Sequence, residues 1–424
     1  MRLLEKDDMA TLASSYALTN ARFLSLTERE TIPRGYIRVA NGYIEDLDSM
    51  EHFLPKKDEE VIDLDGNTVL PGLIDSHGHL ISENATPITD TYIARSSIDG
   101  VAAARLVIEN GITSMRDVGC RHVGIFNLRA AVYSGKIPGP RFQAAGLPLA
   151  GTGIMNTWRS HSHDGPHEIL RGVRSNWELG AEWIKLSISD GRWRPTAGWR
   201  DTPLYSLNEI KSAVEEAHAK DMRVACHVDG PVGAELAVRG AVDSIEHGVH
   251  IPTELLQEMV EKDIFYVPTI WIYHDQDLEV FDADLTFLRK LHADTIKRAK
   301  DVGVKIVAGV DFSYLACNPL EGLVNELRAL IECGFSSLEA IQAATIGGAK
   351  LLGWDEYLGS LSPGKHADLI VIEKDPLEDI QNLLHLRMVI LNGRIAWDKD
   401  GQTPAYHGAF LPHLHPTWMS LNRS

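Results

Sequence analysis

The sequence has little cysteine, no long apolar run and no recognisable leader, and each shortage disfavours a class of protein. Four cysteines are scattered through 424 residues without a Cys-x-x-Cys pair: Cys120, Cys226, Cys317 and Cys333. This distribution disfavours a disulfide framework and is typical of reduced thiols in a cytoplasmic protein. No stretch of about 18 uncharged apolar residues occurs, so no membrane span is expected. Residues Met1 to Asn20 lack a continuous apolar segment, so no signal peptide is expected.

Positive charge is also scarce. Lys and Arg number 41 against 59 Asp and Glu, which gives a formal net charge of −18. An acidic surface disfavours binding to nucleic acid or to an anionic membrane, so neither is expected as a partner. A Gly-rich phosphate-binding turn after an early strand is lacking too, which disfavours the doubly wound open sheet of dinucleotide-binding folds.

Short β-type segments are present between residues 15 and 70 and return after residue 358. Asn41-Gly42, Asp65-Gly66 and Asn392-Gly393 are hairpin-turn signals within them. Each region is too short for a stable core of its own. We therefore predict that residues 1–70 and 358–424 pair into one composite β-sandwich domain.

Between these regions, residues 71–357 show apolar strands that alternate with helical runs. The predicted strands are Leu73–His77, Ile112–Asp117, Arg141–Gly146, Trp183–Ile188, Arg223–His227, Ser244–His247, Ile264–Thr269 and Lys305–Asp311. The predicted helices include Leu207–Lys220, Pro231–Arg239, Thr253–Lys262, Asp284–Asp301 and Leu320–Cys333. Eight such units over roughly 280 residues match a (β/α)₈ TIM barrel in count and length. The predicted fold class is therefore α/β.

Two histidines separated by one glycine, His77-Gly78-His79, end the first predicted strand of this region. Residues i and i+2 of a strand point to the same face, so both imidazoles aim the same way. Gly78 is expected to leave room between them for a ligand close to the backbone. Two converging imidazoles suit a divalent metal, although the motif alone also fits a solvated loop with two ordinary histidines.

Further polar residues lie at the ends or inside faces of four other predicted strands: Lys185, His227, His247 and Asp311. In a parallel barrel, catalytic residues occupy the C-terminal ends of strands. Taken singly, each residue has a structural explanation, such as a hydrogen-bonded core histidine, a snorkelling lysine or an N-capping aspartate. Such explanations would have to hold at five strands at matching heights, and this favours a metal centre.

These residues resemble the amidohydrolase superfamily, the metal-dependent hydrolases that include dihydroorotase, urease and phosphotriesterase. The matching elements follow the family's order over nearly the whole chain: Pro71–His79, Lys185, His227, His247, Asp311 and the segment Gly359–Val371. The phrase Ser244-Ile-Glu-His-Gly and the segment 343–353 resemble the imidazolonepropionase-like branch. That branch also contains prolidase-like dipeptidases and N-acyl-amino-acid hydrolases.

The resemblance implies a special role for Lys185. In the family, the equivalent lysine is carboxylated by CO₂ to a carbamate, which converts a cation into an anion and provides two metal-bridging oxygens. An ammonium group beside two dications would be repelled, whereas a carbamate would neutralise part of their charge. The implied cofactors are two divalent metal ions, foremost Zn²⁺, together with the CO₂-derived carbamate on Lys185.

The resemblance also implies the remaining ligands and one catalytic residue. His77, His79 and Asp311 would hold the more buried ion, and His227 and His247 the more exposed one. A metal-bridging hydroxide would attack the scissile carbonyl. Asp311 would take its proton and deliver it to the departing amine.

One position separates the subclasses of the family. Deaminases typically keep one metal and use His-x-x-Glu on strand five, whereas this chain has His227-Val228-Asp229-Gly230. Lys185 and Gly230 together favour a binuclear hydrolase. The predicted reaction is cleavage of an amide bond in a small carboxylated substrate, an N-acyl amino acid or a dipeptide as in prolidases. Deamination of a heterocyclic amine, and hydrolysis of a lactone, ester or organophosphate, are the alternatives. A non-enzymatic barrel is disfavoured because every expected ligand is present.

Two long loops carry most of the candidate substrate contacts. The loop after strand three contains Asn156, His161 and His163, and the loop after strand four contains Arg192 beside tryptophans. Arginine next to aromatic rings suits a carboxylate on an apolar side chain; surface ion pairs are the alternative. Thr269, after strand seven, is a weaker candidate. Because self-association is common in the resembled family, we expect a homo-oligomer.

Overall fold

The structure is a computed structural model that describes residues 15–26, 31–81, 88–154, 162–191, 201–274 and 285–400. Three candidate substrate-binding residues, Asn156, His161 and Arg192, lie outside the described residues. None of the helices within these ranges is long and apolar enough to cross a membrane.

An eight-stranded sheet joins the two ends of the described chain. Its strands are β1 (Ser15–Phe23), β2 (Ile32–Ala40), β3 (Tyr43–Ser49), β4 (Glu60–Asp63), β5 (Thr68–Pro71), β14 (Leu369–Ile372), β15 (Leu386–Leu391) and β16 (Arg394–Asp398). Their order is β16-β15-β14-β5-β1-β2-β3, with β4 paired to β1. Antiparallel pairing of β5 with β14 sets Leu70 opposite Ile370. The N-terminal and C-terminal segments therefore share one sheet.

Parallel strands fill the region between these segments. They are β6 (Leu73–Gly78), β7 (Ile112–Asp117), β8 (Arg141–Ala144), β9 (Leu149–Ala150), β10 (Trp183–Ser187), β11 (Arg223–Val228), β12 (Ser244–His247) and β13 (Phe265–Val267). One sheet has the order β6-β7-β8 and the other β13-β12-β11-β10-β9. The first seven predicted strands are thus confirmed, with ends that differ by two residues or fewer.

Helices follow most of these strands. They are α1 (Asp90–Glu109), α2 (Gly124–Tyr133), α3 (Gly165–Glu178), α4 (Leu207–His218), α5 (Pro231–Gly240), α6 (Thr253–Glu261), α7 (Leu285–Val302), α8 (Pro319–Glu332), α9 (Ser337–Ala343) and α10 (Ile346–Leu352). In the described part of the chain, short 3₁₀ helices span Met50–His52, Ile270–His274 and Ile380–Leu384. Helix α4 illustrates the local rules: Ser206 and Glu209 form a capping box at its start. Its buried residues recur every three to four positions and face the core: Ile210, Ala213, Val214 and Ala217.

The eighth predicted strand, Lys305–Asp311, is not a regular strand. At its start, the carbonyl of Lys305 accepts from the backbone N–H of Tyr266 in β13, and the N–H of Val307 donates to the carbonyl of Tyr266. The chain then bends, because the N–H groups of Val310 and Asp311 both donate to the carbonyl of His77, at 3.1 and 2.7 Å. Asp311 has a φ of +57°, outside the strand region. This segment lies between β13 and β6, and its bend brings Asp311 next to His77.

An apolar cluster, which we call the apolar floor, lies among the parallel strands and includes one residue of α10. Its members are Val118, Ala145, Trp183, Ala225, Phe265, Val267, Val307 and Leu351. Because side chains alternate along a strand, Lys185 shares the face of Trp183 on β10, whereas Ile184 and Leu186 join the helix-facing core. Lys185 therefore follows Trp183 on the same face of β10, toward the C-terminal end of the strand.

Candidate metal centre

Polar side chains converge at the C-terminal ends of the parallel strands. One donor atom from each of His77, His247 and Asp311 lies within 4.8 Å of the other two. The Nε2 atoms of His77 and His79 lie 3.2 and 3.1 Å from Asp311 Oδ1. The ring of His227 lies 4.5 Å from that of His247, measured between centroids. The structure thus brings four histidines and one aspartate into a single cluster.

The two ends of this cluster differ in burial. The His77 side chain is completely buried, and 14% of the His227 side chain is exposed. His227 Nε2 also lies 3.2 Å from Oδ1 of Asp229, the residue that directly follows β11. The cluster therefore has an inner end at His77 and an outer end at His227.

Lys185 reaches the same region from β10. Its side chain is 1% exposed, and Nζ has no hydrogen-bond partner among the described residues. Burial lowers the pKa of this amine, because a charged group loses its hydration there. Lys185 and His227 line one pocket together with Ser187 and Asp190. A buried amine without a partner thus borders the histidine cluster.

Hydrogen-bond acceptors fix the ring orientation of the first two histidines. Nδ1 of His77 lies 2.6 Å from Glu246 Oε2, and Nδ1 of His79 lies 2.9 Å from the carbonyl oxygen of Gly119. A carbonyl or an ionised carboxylate can only accept, so each Nδ1 carries the hydrogen. Each Nε2 is then left with its lone pair toward Asp311, the arrangement that a metal ligand requires.

Electrostatics keep these groups in ligand-competent protonation states. Burial lowers the pKa of His77, which favours the neutral ring. For Asp311, burial alone would raise the pKa, but the positive charge of His77 when its ring is protonated, together with hydrogen bonds from His77 and His79, holds this pKa well below its usual value, so a proton in the cluster leaves the carboxylate ionised. Neutral imidazoles around an ionised carboxylate are a donor set for a divalent cation.

The backbone is strained at three of the strand ends. His247, Thr269 and Asp311 have φ values of +67°, +48° and +57°. This region is unfavourable for residues with a side chain, most of all for a β-branched one such as threonine. Strained backbone of this kind concentrates at functional sites. Its occurrence at the ends of three successive strand segments sets this edge apart.

Two of the sequence-based substrate candidates are in the described part of the chain. Thr269 is fully buried, and its Oγ1 lies 2.8 Å from Nδ1 of His247, so it faces a site histidine. The His163 ring packs closely against Gly172 of α3, and its backbone N–H donates to the carbonyl of Ala150. His163 is thus directed to a helix, and the other candidates lie outside the described residues.

Gly78 has a different surrounding from the one expected. A Cβ atom at this position would lie 1.9 Å from the hydroxyl of Tyr314. That hydroxyl donates to Asp75 Oδ2 at 2.5 Å, while Asp75 Oδ1 accepts from the backbone N–H of His77 at 3.0 Å. The space beside Gly78 therefore holds a tyrosine that braces the backbone of His77, and the prediction that a ligand lies there is wrong.

Gly230, at the position where the sequence comparison with deaminases expects a glutamate, packs against the carboxylate of Asp201. A Cβ atom at Gly230 would lie 2.7 Å from Asp201 Oδ1. Asp201 is fixed there, because it accepts from the backbone N–H groups of Val232 and Gly233 at the start of α5, at 2.9 and 3.0 Å. A glutamate side chain at position 230 would clash with this cap.

Two charged residues next to the cluster were not predicted from the sequence. Glu246 on β12 contacts His77, and Arg116 on β7 forms an ion pair with Glu246. Both are completely buried. Burial would raise the pKa of Glu246, but Arg116 and His77 outweigh it and lower the pKa to about 2. A sequence signal for both exists: each is a charged residue within a strand whose other residues are buried.

Known proteins resemble this chain over most of its length. The model of the amidohydrolase family matches residues 68–396. Ochratoxinase from Aspergillus niger is 30% identical over 358 residues, which cover 74% of this chain and 72% of that protein. Imidazolonepropionase from Clostridium tetani is 24% identical over 378 residues, 81% of this chain and 85% of that protein. A solved structure of a Xaa-Pro dipeptidase with methionine bound in its active site has a TM-score of 0.78 and 29% identity, and the match covers 90% of this chain and 99% of that one.

Proposed function

This chain belongs to the amidohydrolase family, and we propose that it cleaves the amide bond of a small carboxylated substrate at a binuclear metal centre. The match over residues 68–396 and the named relatives confirm the predicted family, its imidazolonepropionase and prolidase-like branch, and hydrolysis of carbon–nitrogen bonds. The substrate class that we propose is an N-acyl amino acid or a dipeptide. One observation carries the proposal: four histidines and Asp311 converge beside a buried lysine.

We propose further that residues 71–357 close into a (β/α)₈ barrel and that residues 1–70 and 358–424 form one composite β domain. Two sets of contacts between the parallel sheets support the barrel. On one side, Lys305–Asp311 hydrogen-bonds to both β13 and β6. On the other, the backbone N–H of Glu182 donates to the carbonyl of Ala144 at 3.2 Å, which links the start of β10 to β8. The β5–β14 pairing supports the composite domain.

The residues present fit two divalent ions. His77, His79 and Asp311 would hold the inner ion, and His227 and His247 the outer one. Nitrogen and oxygen donors of this kind suit Zn²⁺ and also Co²⁺ or Mn²⁺. Bound there, the ions would activate a water molecule and polarise the scissile carbonyl.

Lys185 fits the role of a carbamate bridge. Carboxylation by CO₂ requires a neutral amine, and burial favours the neutral form of this side chain. Nζ also has no hydrogen-bond partner among the described residues, although a buried polar group ordinarily has one. Conversion to an anion would give two ions a shared ligand and would remove a costly unsatisfied group.

Asp311 is the proposed proton carrier. Its pKa is held well below the usual value, so it is ionised at neutral pH. Its Oδ1 is shared between the two inner histidines, at 3.2 and 3.1 Å, while Oδ2 lies 3.8 Å from His247. We propose that Asp311 accepts the proton of the attacking water and passes it to the nitrogen of the departing amine.

An amine-release screen across N-acyl amino acids and dipeptides, beside an ammonia-release screen on heterocyclic amines, tests this function. We expect metal-dependent amine release. Asp311→Asn should retain the fold and lose kcat by about 10²-fold or more, the usual contribution of a general base. Ammonia release from heterocyclic amines, or activity confined to lactones, esters or organophosphates, would contradict the amide assignment.

A further inference from the structure

A buried ion pair lies between the apolar floor and the metal ligands. Nη2 of Arg116 donates to both carboxylate oxygens of Glu246, each at 2.8 Å, and neither residue has any exposed surface. The guanidinium lies over the ring of Trp183, 4.4 Å from its centroid. The pair thus rests on the apolar floor and faces the C-terminal strand ends.

Further hydrogen bonds hold the ion pair in place. Arg116 Nε donates to the carbonyl of Ser76 at 2.7 Å, and Nη1 donates to Ser244 Oγ at 2.9 Å. Ser244 in turn donates to Glu246 Oε1 at 2.5 Å. Arg116 therefore ties β7 to β12 and to the residue that precedes His77 in β6. The carboxylate of Glu246 is fixed in position by two partners on one side.

Glu246 also contacts His77, a candidate metal ligand. Its Oε2 accepts from Nδ1 of His77 at 2.6 Å, which is the distance of a charge-assisted hydrogen bond. A buried ion pair is weak evidence for stability, because the cost of desolvation offsets most of the attraction. Stability therefore does not explain why an ion pair is buried next to His77, and an effect on the histidine itself is the better explanation.

We propose that Glu246, held by Arg116, is a positioning residue for the inner metal site. It keeps the hydrogen of His77 on Nδ1 and directs Nε2 toward Asp311. This inference rests on the proposed metal centre. Partners that orient a ligating histidine typically contribute 10- to 100-fold to metal affinity. Glu246→Gln keeps the size of the side chain but removes its charge, so it should lower the affinity for the inner ion by that factor.

A second ion pair in the chain provides a matched control. Arg141 and Asp368 are also a buried arginine and carboxylate in contact, but they join β8 to the segment before β14, and both hydrogen-bond with Asn392. Asp368→Asn should reduce thermal stability and leave metal affinity unchanged. The double variant Arg116→Met/Glu246→Met should recover stability relative to Glu246→Gln, because apolar side chains replace the whole pair, without recovering metal affinity.

The experiment titrates chelator-treated protein with Co²⁺ in competition with a chelator and records the visible absorption of the bound ion. The inference predicts a 10- to 100-fold weaker first site and an altered cobalt spectrum for Glu246→Gln, with Asp368→Asn like the wild type. Ser244→Ala, a milder change, should show the same effect several-fold smaller, and it decides the question if Glu246→Gln does not fold. Wild-type cobalt affinity in both Glu246→Gln and Ser244→Ala, or recovery in the double variant, would overturn the positioning role alone. A wild-type protein that binds no cobalt would overturn the proposed metal centre and this inference with it.

Discussion

Replacement of Lys185 by methionine should change stability and metal binding in opposite directions. Methionine has a similar length and an apolar side chain. In metal-free protein the lysine is 1% exposed, and its Nζ has no hydrogen-bond partner among the described residues. The neutral amine therefore lowers the stability of the metal-free protein, whereas its carbamate is a proposed ligand in the metal-loaded protein.

The size of the stability change follows from this burial. An unsatisfied buried polar group costs about 1–3 kcal/mol, and burial keeps the amine neutral by lowering its pKa. We therefore expect the free energy of unfolding of metal-free Lys185→Met protein to exceed that of the wild type by about 1–3 kcal/mol. Loss of the bridging anion should at the same time lower the metal content of protein prepared with bicarbonate.

Lys365 is the matched control for this experiment. Its Nζ donates to the carbonyls of Asp355 and Leu358, at 2.6 and 3.3 Å, and to Ser360 Oγ at 2.7 Å. Lys365→Met leaves these acceptors without their donor, so it should destabilise the protein by about 1–3 kcal/mol and leave metal content unchanged. Comparison of the two variants distinguishes a lysine that stabilises the fold through hydrogen bonds from one whose proposed role is metal binding.

Urea denaturation of chelator-treated protein in CO₂-depleted buffer measures the first effect, and elemental analysis after loading in bicarbonate measures the second. Lys185→Ala should regain part of its metal and activity when a short carboxylic acid replaces the missing carbamate. The reasoning would be refuted if Lys185→Met lost stability as Lys365→Met does and bound as much metal as the wild type.

Two further predictions concern residues beside the cluster. Thr269→Val removes the hydroxyl that lies 2.8 Å from His247 Nδ1 while keeping the side-chain shape, so it should weaken the outer metal by about 10-fold or more in a cobalt titration; Thr269→Ser should not. Burial raises the pKa of Glu326 from 4.5 to about 8, so the folded protein keeps a proton that the unfolded chain releases between these values. The stability contribution of Glu326 is therefore complete at low pH and is lost as pH rises toward about 8, by at most about 1.4 kcal/mol per unit. In urea denaturation at several pH values, Glu326→Gln should reduce the decrease in the free energy of unfolding with rising pH. An identical pH dependence in the variant and the wild type would contradict this prediction.

The strand ends were predictable because each depends on a short pattern. An apolar run that stops at a polar residue, Val224-Ala225-Cys226 before His227, identifies Arg223–His227 without knowledge of the rest of the fold. The bend in Lys305–Asp311 was not predictable in this way. It depends on two N–H groups that share the carbonyl of His77, more than 200 residues earlier in the sequence.

The positioning residues show the same limit. Arg116 and Glu246 each carried a local signal, a charge inside a buried strand, but their pairing spans 130 residues and depends on how the parallel sheets face each other. Tyr314 reaches Asp75 across 239 residues and fills the space that the pattern around Gly78 had assigned to a ligand. Sequence periodicity specifies which side chains face inward; the three-dimensional arrangement decides which of them meet.

The number of metal ions per chain, measured by elemental analysis against activity, tests the central claim most directly. The two ligand sets around Lys185 predict close to two divalent ions per chain at full activity, with loss of both activity and metal when a chelator removes them. A reproducible value of one ion per chain with full amide hydrolysis would contradict the binuclear centre.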